Sequence, residues 1–182
     1  MSTGANMNNL AARRRQAGFT LLEALVVMVV GVFISAAAFG GNKLYTASRV
    51  SDEASNITQI ATNLKPLKND SRGYADLTVP LALSRNAVPL SMSQTSSTIS
   101  SPWGSVTVGP VSVADSDHHM IAYQNVPEEA CQQLALKLRS GGWTTFTVNN
   151  QVIGPSTPID GAAGSIQSAC ANPSNTLVFT SS

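Results

Sequence analysis

Apolar and polar residues follow three successive patterns along the chain. Residues 24–42 (ALVVMVVGVFISAAAFGGN) contain no charged side chain. Apolar residues then recur every three or four positions, which is the period of a helix with one buried side: Leu44, Ala47, Val50, Ala54, Ile57, Ala61 and Leu64. Beyond residue 100, short runs of β-branched and aromatic residues alternate with polar ones, as they do in strands. The pattern predicts a long helix followed by a mixed domain.

The simplest interpretation of the first two patterns is one helix over residues 19–65, which Pro66 ends. Its first half is apolar on all sides, and its second half is apolar on one side. Polar residues are expected on the other faces of the second half: Arg49, Asp52, Glu53, Asn56 and Gln59. At 1.5 Å per residue, residues 19–41 span about 34 Å, which is enough to cross a bilayer core of about 30 Å.

Basic residues precede the apolar segment. Arg13, Arg14 and Arg15 form a cluster, and no acidic residue comes before Glu23. Positive charge stays on the cytoplasmic side of a membrane, so the C-terminal part is expected to be exported. A cleaved secretory signal is the alternative, because the small residues at 36–41 resemble a cleavage site. The apolar run is too long for the roughly 7–15 residues of such a signal, which favours an anchor that is kept.

The rest of the chain is predicted to form an α+β domain, in which the long helix packs on an antiparallel sheet. Residues 67–100 are rich in Ser, Thr, Asn and Pro and indicate a connecting loop with short local elements. Strands are predicted at 105–113, 118–124, 143–148 and 176–180, with a hairpin turn at Asn149-Asn150. One further helix is predicted in VPEEACQQLALKLRSGG, with Pro127 at its first turn. The segment around Cys170 is expected to be irregular.

One cluster carries residue types that bind metals: Asp115, Asp117, His118 and His119. Adjacent residues of a strand point to opposite faces, so the two histidines are poorly placed to chelate one ion. A solvated turn before a strand is the preferred interpretation. The sequence contains no catalytic motif of recognised spacing. We therefore predict no enzyme activity, no metal and no cofactor. A net charge of +1 without a basic stripe predicts no nucleic-acid partner.

The stretch GFTLLEALVVMVV resembles the N-terminus of type IV pilins. Gly18, Phe19 and Glu23 stand at the family's spacing, after basic residues and before a long apolar run. The resemblance implies that a prepilin peptidase cuts between Gly18 and Phe19 on the cytoplasmic side and that Phe19 is then N-methylated. It divides the chain into a leader (1–18), a long helix (19–66, with 19–41 in the membrane or filament core) and a globular pilin head (67–182).

Glu23 is the residue of the apolar segment whose burial costs the most free energy. A lone carboxylate in hydrocarbon costs several kcal/mol or is neutralised by protonation. In the family, this glutamate is thought to pair with the N-terminal amine of a neighbouring subunit, which implies that Glu23 sets the register of assembly. The alternative is that Glu23 lies at the membrane interface and is solvated there, but that reading does not explain the spacing from Gly18 and Phe19.

Cys131 and Cys170 are the two cysteines of the chain. In an exported domain they would most simply form a disulfide, and two separate buried thiols are the alternative. Type IV pilins carry a similar disulfide-bounded region, here 131–170, which forms much of the filament's outer surface. The leader of eighteen residues and the wide cysteine loop resemble class B, including PilS-like, toxin-coregulated and bundle-forming pilins. Phe19 departs from the usual first residue of that class.

The resemblance implies a structural subunit that polymerises into a type IVb pilus for adhesion, aggregation or conjugation. Its implied partners are copies of itself in a helical filament, the prepilin peptidase, the assembly machinery of the inner membrane and, for the precursor, the membrane itself. The precursor is expected in the bacterial inner membrane with a cytoplasmic N-terminus, and the mature chain in an extracellular pilus. A minor pilin or a secretion pseudopilin is one alternative. A membrane-anchored hydrolase that uses the histidine cluster is another.

Overall fold

The structure is a computed structural model that describes residues 45–112, 116–154 and 159–182. Its first element is a helix that ends in a short turn. Helix α1 covers residues 45–64, and a 3₁₀ turn at Lys65–Leu67 follows it. Pro66 lies in this turn, since proline lacks the N–H that a continuing α-helix requires. The predicted end of the long helix is therefore confirmed. The predicted helical segment 19–44 lies outside the described residues.

One face of α1 is buried from Val50 onward. The buried apolar residues of this face are Val50, Ala54, Ile57, Ile60, Ala61 and Leu64. The expectation for Ala47 was wrong: it is exposed, because the described residues leave that turn uncovered. The expectation for Glu53 and Asn56 was also wrong, since both are buried. They lie three and six residues after Val50, which places them beside the apolar stripe rather than opposite it.

The described strands form one antiparallel sheet of seven strands in the order β1-β2-β3-β4-β7-β5-β6. Their bounds are β1 (Ser93–Gln94), β2 (Ile99–Ser100), β3 (Ser105–Pro110), β4 (His119–Val126), β5 (Thr145–Val148), β6 (Gln151–Val152) and β7 (Asn175–Ser181). Strand β4 is central and pairs with β3 and β7. The α+β fold with an antiparallel sheet is confirmed, and β3 ends at Pro110 rather than at residue 113.

Apolar rows cross the sheet and make its buried face. In one row, Val108 pairs with Ile121 and Ile121 with Phe179. Phe179 in turn pairs with Phe146, and their rings stack at a centroid distance of 4.5 Å. These residues belong to the same hydrophobic core as the buried face of α1. They lie on the same face of the sheet because successive side chains of a strand point to alternate faces.

The hairpin between β5 and β6 confirms the predicted turn. Asn149 and Asn150 have φ of 49° and 68°. A two-residue turn that matches the twist of an antiparallel pair needs positive φ at both positions, and asparagine tolerates this conformation better than most residues. Thr147 and Val148 pair with β6 on one side, and the same residues pair with β7 on the other.

The helices after α1 are α2 (Val79–Ser84), α3 (Glu128–Leu138) and α4 (Ile159–Ala169). Helix α3 begins after Pro127 with two glutamates in its first turn, as predicted. Helix α2 lies in the predicted connecting loop and is capped by the Thr78 hydroxyl, which accepts a hydrogen bond from the Leu81 amide.

The expectation of an irregular segment before Cys170 was wrong, because α4 occupies it. Gly161 and Gly164 lower the intrinsic helix propensity of this segment. Burial of Ile166 and Ala169 outweighs that propensity, since packing of an apolar face supplies most helical stability in proteins.

Candidate functional site

The residues predicted for processing and assembly, Gly18, Phe19 and Glu23, lie outside the described residues. The apolar segment 19–41 does so as well. Within the described residues, none of the helices combines the length and the apolar character that a bilayer crossing requires. The candidate site among the described residues is the disulfide-bounded region together with the face of α1 that packs on the sheet.

Cys131 and Cys170 form a disulfide. Cys131 lies in the first half of α3, Cys170 directly follows α4, and both are fully buried. The bridge therefore fastens the two helices of the region to each other. The pairing predicted from the sequence is confirmed, and the alternative of two separate thiols is wrong.

An asparagine network holds the C-terminal end of this region. The side-chain amide of Asn175 donates to the carbonyl oxygens of Asn172, Val126 and Cys170 at 2.7, 3.1 and 3.4 Å. Its own carbonyl oxygen accepts a hydrogen bond from Asn149 at 2.8 Å. Asn149 also donates to the carbonyl of Ala169 at the end of α4. The network thus links the hairpin turn, β4 and the disulfide.

Sequence reasoning missed this network, although the strand pattern contained a signal for it. Asn175, Leu177 and Phe179 alternate along β7 and are all buried. An asparagine in the phase of the core-facing residues predicts a buried amide that must find partners.

We expect Asn175→Ala to lower the free energy of unfolding by about 2–3 kcal/mol, because buried carbonyl oxygens and the Asn149 amide lose their partner. Urea unfolding of the processed chain in detergent measures this loss. Ser174→Ala is the matched control: Ser174 is exposed, and its loss should change the stability by less than about 0.5 kcal/mol. Equal midpoints for Asn175→Ala and the control would show that the network is dispensable.

A buried carboxyl lies where α1 meets the sheet. The hydroxyl of Tyr123 donates to Glu53 at 3.0 Å, and both side chains are buried. Burial raises the pKa of Glu53, and the hydrogen bonds from Tyr123 and Asn56 oppose this shift. The Ser91 hydroxyl donates to Asn56 at 2.8 Å and connects this polar group to the loop before β1.

We expect Glu53→Gln to stabilise the head at pH 7, because an amide avoids the desolvation of a charge. The folded-state pKa of Glu53 is raised above its ordinary 4.5. The contribution of Glu53 to the stability of the folded state is therefore fully present below pH 4.5, where the carboxyl is protonated, and is lost as the pH rises through the folded-state pKa. Urea unfolding should show a stability gap between variant and wild type that narrows from pH 7 toward pH 4.5. Asp70→Asn, which also replaces a carboxylate by an amide but at an exposed position, is the control and should show no such pH-dependent gap. A constant gap, or a less stable variant at pH 7, would contradict the assignment.

The predicted acidic and histidine cluster does not converge on one point in the part that is described. Asp115 lies outside the described residues. Asp117 is exposed and pairs with Lys68 at 3.5 Å. His119 is fully buried at the start of β4, whereas His118 precedes the strand and is half-buried. Across the described ranges, no three His, Cys, Asp or Glu side chains come close enough together to hold a metal ion.

Comparison with known proteins assigns the family. The family model described as PilS N terminal matches residues 47–182, which is more than half of the chain. A second model, the prokaryotic N-terminal methylation motif, matches residues 13–39. The chain belongs to the PilS family of type IV pilins. It is thus a class B pilin and a structural subunit of an extracellular pilus.

A solved pilin structure shares this fold. The crystal structure of type IV b pilin from Salmonella typhi is similar with a TM-score of 0.56 and 22% identity, over 71% of this chain and 97% of that chain. An NMR structure of the type IVb pilin PilS from Salmonella typhi matches at 22% identity over 72% of this chain and 95% of that chain, with a TM-score of 0.48. No curated protein sequence matches the chain.

Proposed function

We propose that this pilin is made as a single-pass precursor of the bacterial inner membrane, with residues 1–18 as a cytoplasmic leader. The apolar segment 19–41 anchors the precursor, and residues 67–182 form the exported head. A prepilin peptidase removes the leader between Gly18 and Phe19, and Phe19 is N-methylated. The observation that carries the proposal is the methylation motif at residues 13–39, placed directly before the pilin match at 47–182.

Cleavage before the apolar segment determines what happens to the subunit next. The mature chain keeps a helix that is apolar on all sides, which is suited first to the bilayer and then to the interior of a bundle of identical helices. Glu23 lies four residues after Phe19 in this segment. Its charge is matched by the amine that cleavage creates on a neighbouring subunit, which offsets part of the cost of burying a carboxylate. Helical homopolymerisation follows from this arrangement.

The disulfide-bounded region is the part of the head that we propose for the outer surface of the filament. Helix α3 carries exposed Glu128 in its first turn and exposed Glu129 and Leu136 on the side opposite its buried residues. The bridge and the asparagine network hold this region by covalent and buried polar contacts, so its exposed residues are free to serve adhesion, aggregation or mating contacts.

Processing is tested by Gly18→Ala. We expect the full precursor to accumulate in the membrane, because a methyl group at the cleaved position blocks access of the peptide bond to the peptidase. Immunoblots of membrane fractions resolve precursor from mature chain by the mass of the leader. Ala17→Ser is the matched control at the adjacent position and should be processed. Normal maturation of Gly18→Ala would contradict cleavage at this bond.

A further inference from the structure

His119 is a buried histidine without a hydrogen-bond partner. It is the first residue of β4, and its side chain is fully buried. Among the described residues, neither of its ring nitrogens has a hydrogen-bond partner. Buried side-chain polar atoms are paired in the large majority of cases, so an orphan of this kind calls for an explanation. A charge at this position would be still more costly than a neutral ring.

A short loop closes over His119. Residues 68–77, the 68–77 loop, place the buried ring of Tyr74 edge-on to the imidazole, with 4.7 Å between ring centroids. The Tyr74 amide donates to the carbonyl of Ser116 at 2.6 Å. Gly73 has a φ of 57°, and a side chain there would collide with the Ser116 carbonyl. The loop therefore lies in direct contact with Ser116, shortly before β4.

The charged groups around His119 oppose its protonation. Three groups act on it as cations: Lys65 in the 3₁₀ turn after α1, Lys68 on the 68–77 loop, and His118, which directly precedes β4. Asp117 is engaged by Lys68 and is exposed. The strand partners of His119 are Pro110 and Ser181, which carry no charged side chain. Burial and then these cations hold the pKa of His119 at about 4, below its ordinary 6.5.

We propose that His119 and the 68–77 loop form an acid-operated latch, in which protonation of the buried imidazole releases the loop from the start of β4 while the sheet stays folded. The loop opens rather than the strand because β4 is paired along both of its edges. The loop is held on this part of the head by the buried side chains of Tyr74 and Leu77, by the Tyr74 hydrogen bond to Ser116 and by the exposed ion pair between Lys68 and Asp117. A segment with fewer buried contacts than a central strand opens at a lower free energy.

The pH dependence of loop closure follows from the difference between the pKa of His119 in the closed and in the open state. Because the pKa is lowered in the closed state, His119 favours closure fully when the pH is above its ordinary pKa of 6.5, and this contribution is lost as the pH falls toward about 4. If the opened loop lets His119 titrate normally, the closing equilibrium weakens on the order of 30-fold at pH 5 and 100-fold at pH 4.

Amide hydrogen exchange of the full processed chain in detergent tests the latch. Exchange rates are corrected for the intrinsic effect of pH, and the 68–77 loop is compared with β7. We expect the protection of the loop to fall about 100-fold from pH 7 to pH 4 while β7 stays protected. His118→Gln removes the other histidine of the chain and one of the cations that oppose protonation of His119, so its loop should still lose protection in acid, by a somewhat smaller factor than in wild type. His119→Phe keeps an aromatic ring but cannot titrate, so its loop should stay protected at pH 4.

A second variant reproduces the open state without acid. Gly73→Ala forces the loop away from Ser116, so its amides should exchange at pH 7 as those of wild type do at pH 4. Wild-type protection that does not change with pH would overturn the proposal. So would a loss of protection that β7 shares, or a loss of the same size in His119→Phe. Should His119→Phe fail to fold, His119→Gln serves as the variant with a neutral side chain.

Discussion

Glu23→Ala is expected to leave cleavage intact and to reduce filament assembly at least about 100-fold. The amine of a neighbouring subunit would then be buried in the apolar interior of the filament without its carboxylate. Removing one partner of a buried ion pair costs about 3–5 kcal/mol, which corresponds to a factor of 100 or more in the affinity for each added subunit. Sheared filaments and membrane fractions from the same cells measure assembly and processing separately.

Two further variants separate charge from packing at this position. Glu23→Gln keeps the size of the side chain and should fail in the same way as Glu23→Ala, because the charge is what pairs with the amine. Thr20→Ala changes a polar residue of the same segment without changing the charge, and it should assemble. Abundant filaments in both Glu23 variants would contradict the pairing with the amine and favour the alternative interpretation, in which Glu23 is solvated at the membrane interface.

The double variant Cys131→Ala/Cys170→Ala is expected to lower the free energy of unfolding by about 4 kcal/mol. The two cysteines are separated by 39 positions, and closing a loop of that length removes about this much conformational freedom from the unfolded chain. Replacing both cysteines avoids leaving one reactive thiol. Urea unfolding of the processed chain in detergent gives the loss, and reduced wild type should approach the double variant. Equal stability of the oxidised wild type and the double variant would show that the bridge adds nothing.

Local sequence signals predicted the elements in which residue type and position agree. The turn at Asn149-Asn150 was predicted because few residues tolerate positive φ at two successive positions. Helix α3 was predicted from Pro127 and the acidic first turn that follows it. The disulfide followed from an even number of cysteines in an exported domain. Each of these signals lies within a few residues or depends on the cellular compartment rather than on the fold.

The features that the sequence did not predict depend on packing between segments that are distant along the chain. Helix α4 carries glycines that argue against a helix, and it forms because the core takes up Ile166 and Ala169. Glu53 was expected at the surface as a charged residue, although its spacing from Val50 places it beside the buried stripe. Its partner Tyr123 is seventy positions away in the sequence. The lack of partners at His119 becomes visible once three-dimensional neighbours are known.

The mature subunit is proposed to keep its apolar N-terminal helix after the leader is removed. Intact-mass spectrometry of sheared, purified filaments tests it most directly. We predict that the dominant protein begins at Phe19, carries one added methyl group and has lost two hydrogens to the disulfide. A filament protein that begins beyond residue 41, or filaments in which this chain is missing, would contradict the account.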